Sequence, residues 1–411
     1  MATKIWDVIV VGGGAAGFFA AIEASKSGEN QVLLLEKTNK LLSKVKVSGG
    51  GRCNVTHHCD YASELIQHYP RGGKSLRKGF EKFGCKETRK WFENRKVPLK
   101  VEADGRVFPK SDSSQSIISC LMDEASKNDV QLKLQSEVAA VTNNGTNFLV
   151  KLTSGESLQS QKIIICSGGH PKSAAYQWIS KLGVNISQPI PSLFTFKVPD
   201  SDYKDLMGLS VPNAWVQIPG TKWKQDGPLL ITHWGFSAPA VIKLSAWAAI
   251  DLHLRSYQFP ILINWCRETE EAVKGALEEF KKQHPKKLVK KQALFAIPSR
   301  LWERIANEAG IIEEQRFVDI SKKNLNKLVE MLVRHPFKVN GKTTFKEEFV
   351  TCGGVDLNEV HLQTFECKKT EGLYFAGEVL NVDGVTGGFN FQHAWTSGYL
   401  SGKSAADSLA K

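Results

Sequence analysis

The sequence predicts an α/β fold, in which a parallel sheet lies between two layers of helices and a β-meander interrupts the sheet. At the N-terminus a strand, a glycine-rich turn, a helix and a second strand follow one another, and a short strand and a helix close the chain. Between residues 193 and 344 this pattern stops and mixed strand and helix patterns replace it. We therefore predict one α/β domain built from residues 1–192 and 345–411, with residues 193–344 inserted as a second domain.

Composition and charge exclude several classes of protein. The 411 residues are 42% hydrophobic and 23% charged, which is typical of globular chains and not of disordered or fibrous ones. We find no run of about 18 apolar residues, so we expect no membrane span. The cysteines are scattered without a C-x-x-C pair, and Asp7 precedes the first apolar segment. We therefore expect a cytoplasmic protein.

The first strand leads into a glycine fingerprint. Apart from Asp7, residues 6–11 are apolar and mostly β-branched, and we predict a strand there. The next residues read Gly12-x-Gly14-x-x-Gly17, and a helical stretch covers 15–27. The first glycine permits a tight turn, the second admits a pyrophosphate to the backbone, and the third lets helix and strand pack closely. The free N–H groups of the helix N-terminus then face the phosphates.

An acidic residue completes the dinucleotide pattern. The second predicted strand, residues 31–35, ends at Glu36, whose carboxylate can accept hydrogen bonds from ribose hydroxyl groups. The strand–turn–helix–strand–acid order predicts a dinucleotide site rather than an ordinary glycine-rich turn. These residues alone leave open whether the dinucleotide is NAD or FAD.

A second glycine cluster follows at residues 48–54, which read SGGGRCN and include Arg52. Such a loop can offer backbone N–H groups and a guanidinium to an anion. The alternative is a flexible surface turn.

The centre of the first domain predicts a β-meander. Residues 137–159 alternate in polarity and carry turn signals at Asn144-Gly145 and Ser154-Gly155. A buried strand over 163–166 then ends in Ser167-Gly168-Gly169. We therefore predict three antiparallel strands, followed by a return to the parallel sheet.

The C-terminal segment supplies one more strand and helix. Residues 373–376 form a short apolar strand closed by Gly377-Glu378, and a helix is predicted from Gly387 onward. Small residues recur on one side of this helix, at Ala394, Gly398 and Gly402.

This layout resembles the FAD-binding half of the glutathione-reductase-like flavoproteins. Lys44 with the SGGGRCN loop, ITHWGFS at 231–237, TCGGV at 351–355 and the stretch 372–395 together resemble the bacterial aminoacetone-oxidase-like family of FAD-dependent oxidoreductases. The resemblance covers nearly the whole chain. It implies a Rossmann-like FAD-binding domain with an inserted domain that covers the flavin and shapes the substrate pocket.

The resemblance also implies which residues meet the cofactor. Glu378 would bind the ribityl chain, and the helix that starts near Gly388 would direct its N-terminus at the flavin pyrimidine. The predicted FAD-binding residues are Gly12, Gly14, Ala16, Gly17, Glu36, Lys37, Lys44, Ser48, Gly51, Arg52, Val138, Ser167, Gly168, Gly377, Glu378, Gly388, Phe389 and Asn390. The sequence assigns no catalytic residue.

Other clusters suggest chemistry that we do not predict. Cys53 and Cys59, with His57, His58 and Asp60, are metal-type ligands within a short span. No second ligand cluster accompanies them, so we predict no metal site. Five residues separate the two cysteines, where the redox-active pair of disulfide reductases has four, so we predict no dithiol mechanism.

Two features of the inserted domain allow two interpretations each. His233 either donates a proton to substrate or is a hydrogen-bonded core residue beside Trp234. The lysines between Lys281 and Lys291 form either a solvated helix face or a site for an anionic partner. The segment lacks an RNA- or DNA-binding motif, so nucleic acid is not the expected partner.

The predicted function is that of an FAD-dependent oxidoreductase, which passes a hydride equivalent between a small organic substrate and the flavin. Amine oxidation and enone reduction both fit. The alternatives are a nucleic-acid-modifying flavoprotein, favoured by the net charge of +12, and a redox sensor that binds FAD without turnover. NAD(P)H or oxygen can serve as electron partner, but with one glycine fingerprint we predict no dedicated NAD(P) domain. We expect no membrane partner.

Overall fold

The computed structural model describes residues 4–199, 202–343 and 350–410. The chain forms two compact units, one of Met1–Ser192 with Phe345–Lys411 and one of Leu193–Thr344. The predicted boundary between residues 344 and 345 lies outside the described residues.

The described residues form the following strands and helices. The strands are β1 (Ile5–Val11), β2 (Val32–Leu35), β3 (Thr56–His57), β4 (Leu99–Val101), β5 (Arg106–Pro109), β6 (Gln131–Lys133), β7 (Val138–Asn143), β8 (Phe148–Leu152), β9 (Ser157–Ile165), β10 (Ile186–Ser192), β11 (Thr195–Lys197), β12 (Ser210–Gln217), β13 (Lys224–Thr232), β14 (Gly235–Ser237), β15 (Gln258–Asn264), β16 (His335–Asn340), β17 (Lys342–Thr343), β18 (Val350–Val355), β19 (Val360–His361), β20 (Glu366–Cys367) and β21 (Leu373–Phe375). The helices are α1 (Ala15–Ser25), α2 (Ser43–Val47), α3 (Ala62–Leu65), α4 (Gly73–Lys82), α5 (Cys85–Glu93), α6 (Gln115–Lys127), α7 (Gln177–Ser180), α8 (Pro239–Trp247), α9 (Ala249–Leu254), α10 (Glu270–Gln283), α11 (Ser299–Glu308), α12 (Lys322–Val333) and α13 (Phe389–Leu409).

The main sheet of the first unit has the strand order β19-β20-β21-β9-β1-β2-β6. The strands from β21 to β6 run parallel to their neighbours. The chain leaves β1 toward β2 on one side and returns as β9 on the other. A ligand is expected at this reversal of strand order, beyond the carboxyl ends of the strands.

The meander is present, with one difference from the prediction. Strands β7, β8 and β9 pair antiparallel, as expected. However, the third meander strand and the buried strand predicted over 163–166 are one continuous strand, β9. Residues 157–160 pair with β8 and residues from 159 to 165 pair with β1, so the two pairings overlap within one strand.

Close packing of two helices fixes the core of the first unit. A Cβ atom at Gly398 of α13 would lie 2.4 Å from the carbonyl oxygen of Ala16, and one at Gly402 would lie 2.3 Å from that of Ala20. The backbones of α1 and α13 therefore touch, which only glycine permits at these positions. This contact joins the C-terminal helix to the helix of the glycine fingerprint.

The second unit contains an antiparallel sheet of order β16-β15-β12-β13-β14-β11-β17. Its core includes the fully buried rings of Trp265 and Trp302. Helices α8 and α9 lie between β14 and β15, and α10, α11 and α12 lie between β15 and β16, so strands and helices are mixed along this unit.

Candidate functional site

Steric contacts explain why the first and third positions of the fingerprint, Gly12 and Gly17, must be glycine. Gly12 has a φ of 115°, and a Cβ atom there would lie 2.3 Å from the carbonyl oxygen of Cys166. A Cβ atom at Gly17 would lie 1.9 Å from the carbonyl oxygen of Gly12. Both distances are far below van der Waals contact, so each position requires glycine to hold β1, α1 and β9 together.

Gly14 differs from these two glycines because it faces open space. Its φ is −95°, which other residues adopt, and no atom lies within 4 Å of its Cβ position. It caps α1 without a side-chain hydrogen bond. The first-turn N–H groups of α1 therefore have no side-chain cap, and a phosphate group can approach them closely.

Glu36 lies beside this turn at the carboxyl end of β2. One carboxylate oxygen accepts a hydrogen bond from the Gly13 N–H at 2.9 Å. The other accepts from the N–H and the hydroxyl of Thr38, each at 2.9 Å. These three bonds fix the carboxylate against the fingerprint. Because a carboxylate has about four acceptor positions, one remains for a ribose hydroxyl, on the oxygen that accepts from Gly13.

The second glycine loop is a tight left-handed turn. Gly49, Gly50 and Gly51 have φ values of 58°, 69° and 85°, so this backbone requires glycine. Ser48 at its start donates a hydrogen bond to the carbonyl oxygen of Val45 at 3.0 Å.

The guanidinium of Arg52 is already engaged by protein groups. It lies 2.7 Å from a carboxylate oxygen of Glu102 and 3.6 Å from one of Asp112, and it covers the ring of Phe108. The hydrogen bond to Glu102 raises the pKa of Arg52 above its ordinary value. An anion would have to share this guanidinium with two carboxylates, and the anion-binding role of Arg52 stays a prediction.

Lys44 and Glu378 meet across the first unit. The Lys44 ammonium lies 2.5 Å from one carboxylate oxygen of Glu378. The other oxygen accepts a hydrogen bond from the Thr351 N–H at 2.9 Å. A Cβ atom at Gly169 would lie 2.8 Å from the same carboxylate. The ends of β9 and β21 and the start of α2 therefore converge on Glu378.

The start of α13 is held by close contacts. Gly388 has a φ of 90°, and a Cβ atom there would lie 2.6 Å from the carbonyl oxygen of Thr56. The Phe389 ring is buried and stacks on His68 at 4.2 Å. The Asn390 amide exchanges two hydrogen bonds with the backbone of Gly384. The Phe389 and Asn390 side chains thus shape the helix start, which leaves backbone N–H groups to meet a ligand.

The remaining predicted residues lie around the same edge of the sheet. Ala16 meets Gly377, whose Cβ position is 2.8 Å from the Ala16 methyl carbon. Ser167 and Gly168 lie just beyond the end of β9, after Cys166. Lys37 is exposed next to Glu36, and Val138 is buried at the start of β7.

Sequence patterns did not reveal a buried charge cluster in this unit. The Arg71 guanidinium forms two hydrogen bonds to the carboxylate of Asp383, which is fully buried. Ser192 donates to the same carboxylate at 2.6 Å. The Arg71–Asp383 pair joins the start of α4 to the chain before α13.

His393, a polar residue near the start of α13, is buried in the same unit. Its Nε2 atom lies 3.2 Å from the carbonyl oxygen of Gly377, and its Nδ1 atom has no hydrogen-bond partner among the described residues. Burial lowers the pKa of His393 to about 4. The ring is therefore neutral at physiological pH.

This buried ring should make stability depend on pH. The unfolded chain protonates His393 near its ordinary pKa of about 6.5, whereas the folded protein resists protonation down to about pH 4. The free energy of unfolding should therefore fall by about 3 kcal/mol between those pH values. Urea unfolding of the parent and of His393→Gln at a series of pH values isolates this contribution. Parallel curves for the two proteins would contradict it.

The cysteines of the described residues are all free. Burial raises the pKa of Cys53 and that of Cys59 to about 12, so neither is a reactive thiolate. Within the ranges that the structure describes, no group of three or more His, Cys, Asp or Glu side chains could hold a metal ion.

His233, one of the two ambiguous features of the inserted domain, lies at the surface of that unit. His233 is exposed in the turn between β13 and β14, edge-on to the Trp234 ring at 4.3 Å. It is therefore not a buried core residue, and its role as a proton donor stays a prediction.

The lysine run is not one helix face. Only Lys281 and Lys282 belong to α10, because the helix ends at Gln283. Lys290 and Lys291 both pair with Glu313, at 3.3 and 3.1 Å. A carboxylate remote in sequence therefore neutralises part of the run.

Within the described ranges, no helix is both long and apolar enough to cross a bilayer.

Comparisons with known proteins agree with this architecture. A family model described as the HI0933-like protein Rossmann domain matches residues 6–404. A ribosomal RNA dihydrouridine synthase of Escherichia coli K12 is 31% identical over 404 residues, which are 96% of this chain and 96% of that protein. A 3-dehydro-bile acid delta(4,6)-reductase of Clostridium scindens is 26% identical over 408 residues, 97% of this chain and 98% of that protein.

A solved structure supports the fold alone. The 3-ketosteroid delta1-dehydrogenase of Sterolibacterium denitrificans is 14% identical, has a TM-score of 0.53, and is matched over 99% of this chain and 100% of its own. The predicted fold class, a Rossmann-like domain with an inserted domain, is confirmed.

Proposed function

Because the chain belongs to the HI0933-like family of FAD-binding Rossmann oxidoreductases, we propose that it binds FAD along the carboxyl edge of the parallel sheet. We propose further that it reduces a carbon–carbon double bond conjugated to a carbonyl, and that the substrate is uridine in RNA. The observation that supports this substrate is the 31% identity to a ribosomal RNA dihydrouridine synthase over 96% of both chains.

The residues of the edge fit the two halves of FAD. The pyrophosphate would approach Gly14 and the N-terminus of α1, since no side chain occupies that space. The adenosine ribose would bind Glu36, whose carboxylate the Gly13 and Thr38 N–H groups hold in place. An FMN molecule has no adenosine, so it would leave this half of the site without a ligand.

The flavin half would lie toward the ends of β9 and β21. Glu378, held by Lys44 and the Thr351 N–H, would accept hydrogen bonds from the ribityl hydroxyls. The N-terminus of α13 would face the flavin pyrimidine, where a helix dipole stabilises negative charge by about 0.3–1 kcal/mol. When bound, the flavin supplies a hydride equivalent, and the protein supplies position and electrostatics.

The names of the two relatives point to one reaction class. Dihydrouridine is uridine whose C5=C6 double bond is saturated, and a delta(4,6)-reductase likewise saturates carbon–carbon bonds. In uridine that bond is conjugated to the C4 carbonyl. A hydride equivalent would add to C6 and a proton to C5, and bound FAD in its reduced form would supply the two electrons. A reduced nicotinamide that reaches the flavin through the substrate site would restore those electrons.

The charge of the chain favours RNA over a steroid-like substrate. With 54 basic and 42 acidic residues, the net charge is +12, which attracts a polyanion and gives no advantage with an apolar molecule. We therefore propose a nucleic-acid partner, although the sequence motifs alone did not favour one.

The test is the formation of dihydrouridine in RNA. Purified protein with FAD and a reduced nicotinamide is incubated with ribosomal RNA transcribed in vitro, and the nucleosides are then analysed by mass spectrometry. We expect dihydrouridine, two hydrogen atoms heavier than uridine, and none when FAD is omitted from cofactor-free protein. Oxidation of the nicotinamide by a small enone, with no dihydrouridine in any transcript, would assign a small-molecule substrate instead.

A further inference from the structure

The helix pair α4–α5 carries a regular series of lysines. They are Lys74, Lys78, Lys82, Lys86 and Lys90, one at every fourth position, and we call them the α4–α5 lysine row. All five are exposed. In α4, a spacing of four residues places the first three along one side of the helix, about 6 Å apart along its axis.

The row is not neutralised by neighbouring acids. Among the residues that the structure describes, no carboxylate lies within 4.0 Å of any of these five ammonium groups. The nearby acids have other partners: Glu81 pairs with Arg77, Asp60 pairs with Arg89, and Glu87 accepts from the Gly84 N–H. Like charges at this spacing repel one another along a helix.

A cavity of about 650 Å³ lies beside the first part of the row. Lys74, Ser75 and Lys78 line it, together with His361, Gln363 and Thr364 from the turn between β19 and β20. The cavity also contains Glu366, whose carboxylate accepts a hydrogen bond from the Gly372 N–H at 2.9 Å. Ammonium, amide and hydroxyl groups are the donors that bind phosphate and ribose in nucleic-acid complexes.

The row is fixed to the cofactor-binding unit. A Cβ atom at Gly79 of α4 would lie 3.5 Å from a Leu400 methyl carbon and 3.6 Å from one of Thr396, both on α13. At 1.5 Å per residue, these positions are about 10–16 Å along α13 from Phe389. An RNA strand bound along the row would therefore lie within a few nucleotides of the proposed flavin site.

We propose that the α4–α5 lysine row and its cavity bind the sugar–phosphate backbone of the RNA substrate. The proposal rests on the proposed function, because it names the surface that holds that substrate. A helical step of about 6 Å is comparable with the separation of neighbouring phosphates along a nucleic-acid strand. The Lys281–Lys291 segment is a poorer candidate, since Glu313 pairs with two of its lysines.

The test compares two triple variants of equal charge. Lys74→Gln/Lys78→Gln/Lys82→Gln removes three lysines of the row, and Lys282→Gln/Lys286→Gln/Lys287→Gln removes three exposed lysines of the other segment. Affinity for a ribosomal RNA transcript is measured over a range of potassium chloride concentrations. In the row variant, the slope of log affinity against log salt should fall by about three, with affinity about tenfold or more weaker at low salt. The control should keep the parent slope.

Further measurements separate failure of this proposal from failure of the proposed function. FAD content and unfolding midpoint should match the parent in both variants, which excludes loss of folding. If the parent forms dihydrouridine and both variants bind RNA equally, the row is not the RNA surface although the function stands. If the parent forms none, but the row variant alone loses RNA affinity, the surface stands and the reaction is wrong. Lost binding to phosphatidylserine vesicles with unchanged RNA affinity would assign the row to membranes and overturn the proposal.

Discussion

Gly14→Ala is expected to fold like the parent protein and to lose FAD. No atom lies within 4 Å of the Cβ position at Gly14, and its φ of −95° suits alanine, so the fold tolerates the methyl group. That methyl group would occupy the space through which the pyrophosphate reaches the backbone. The measurements are flavin absorbance per protein after desalting and the urea midpoint of the cofactor-free form. Full FAD retention would place the pyrophosphate elsewhere.

Gly17→Ala is the matched control, because it adds the same methyl group three residues along. Here the Cβ atom would lie 1.9 Å from the carbonyl oxygen of Gly12, so the backbone of β1 or α1 must move. We expect a loss of about 3 kcal/mol or more in the free energy of unfolding. The two variants thus distinguish a glycine needed by the cofactor from one needed by the fold.

Asp383→Ala is expected to cost about 3–5 kcal/mol in the free energy of unfolding, because it leaves the Arg71 guanidinium without its buried partner. The Asp383 side chain is fully buried and that of Arg71 is 14% exposed, so little water is available to replace the lost carboxylate.

The control for this prediction removes both charges. The double variant Arg71→Met/Asp383→Leu should recover most of the lost stability, since a buried ion pair contributes little beyond an apolar pair of similar volume. Urea unfolding of the three proteins measures both effects. A single variant as stable as the parent would show that the pair does not hold α4 to the chain before α13.

Local patterns were sufficient to predict the fingerprint. Gly12 and Gly17 are required by contacts within one strand–turn–helix unit and with the neighbouring parallel strand. The spacing of the glycines is therefore sufficient to predict this unit. The same holds for the placement of Glu36 at the end of β2. The predicted helix over 15–27 ends two residues early, at Ser25, because helix ends depend on caps that the pattern does not reveal.

Contacts between distant segments could not be predicted in the same way. Lys44 and Glu378 are 334 positions apart, and Arg71 and Asp383 are 312 apart. No periodicity links such partners, and only the order of strands in the sheet brings them together. The resemblance to a flavoprotein family suggested Glu378 as a cofactor residue but not the ammonium and the N–H group that hold it.

The pairing of charged side chains is the other feature that could not be predicted from the sequence. Arg52 has two carboxylate partners on the β4–β5 hairpin and the segment after it, more than 45 residues further along the chain. Lys290 and Lys291 pair with Glu313. Among the described residues, no carboxylate pairs with a lysine of the α4–α5 lysine row. A count of basic residues does not reveal this difference, so the sequence alone singled out the Lys281–Lys291 segment and not the row.

Anaerobic reoxidation of the bound flavin tests the central claim most directly. The protein is reduced with dithionite, freed of excess reductant, and mixed without oxygen with a uridine-containing ribosomal RNA transcript. We predict that the absorbance of oxidised flavin returns in proportion to the dihydrouridine formed, and that polyadenylate leaves the flavin reduced. A flavin that stays reduced with the transcript but is reoxidised by a small enone would contradict the assignment of RNA as the substrate.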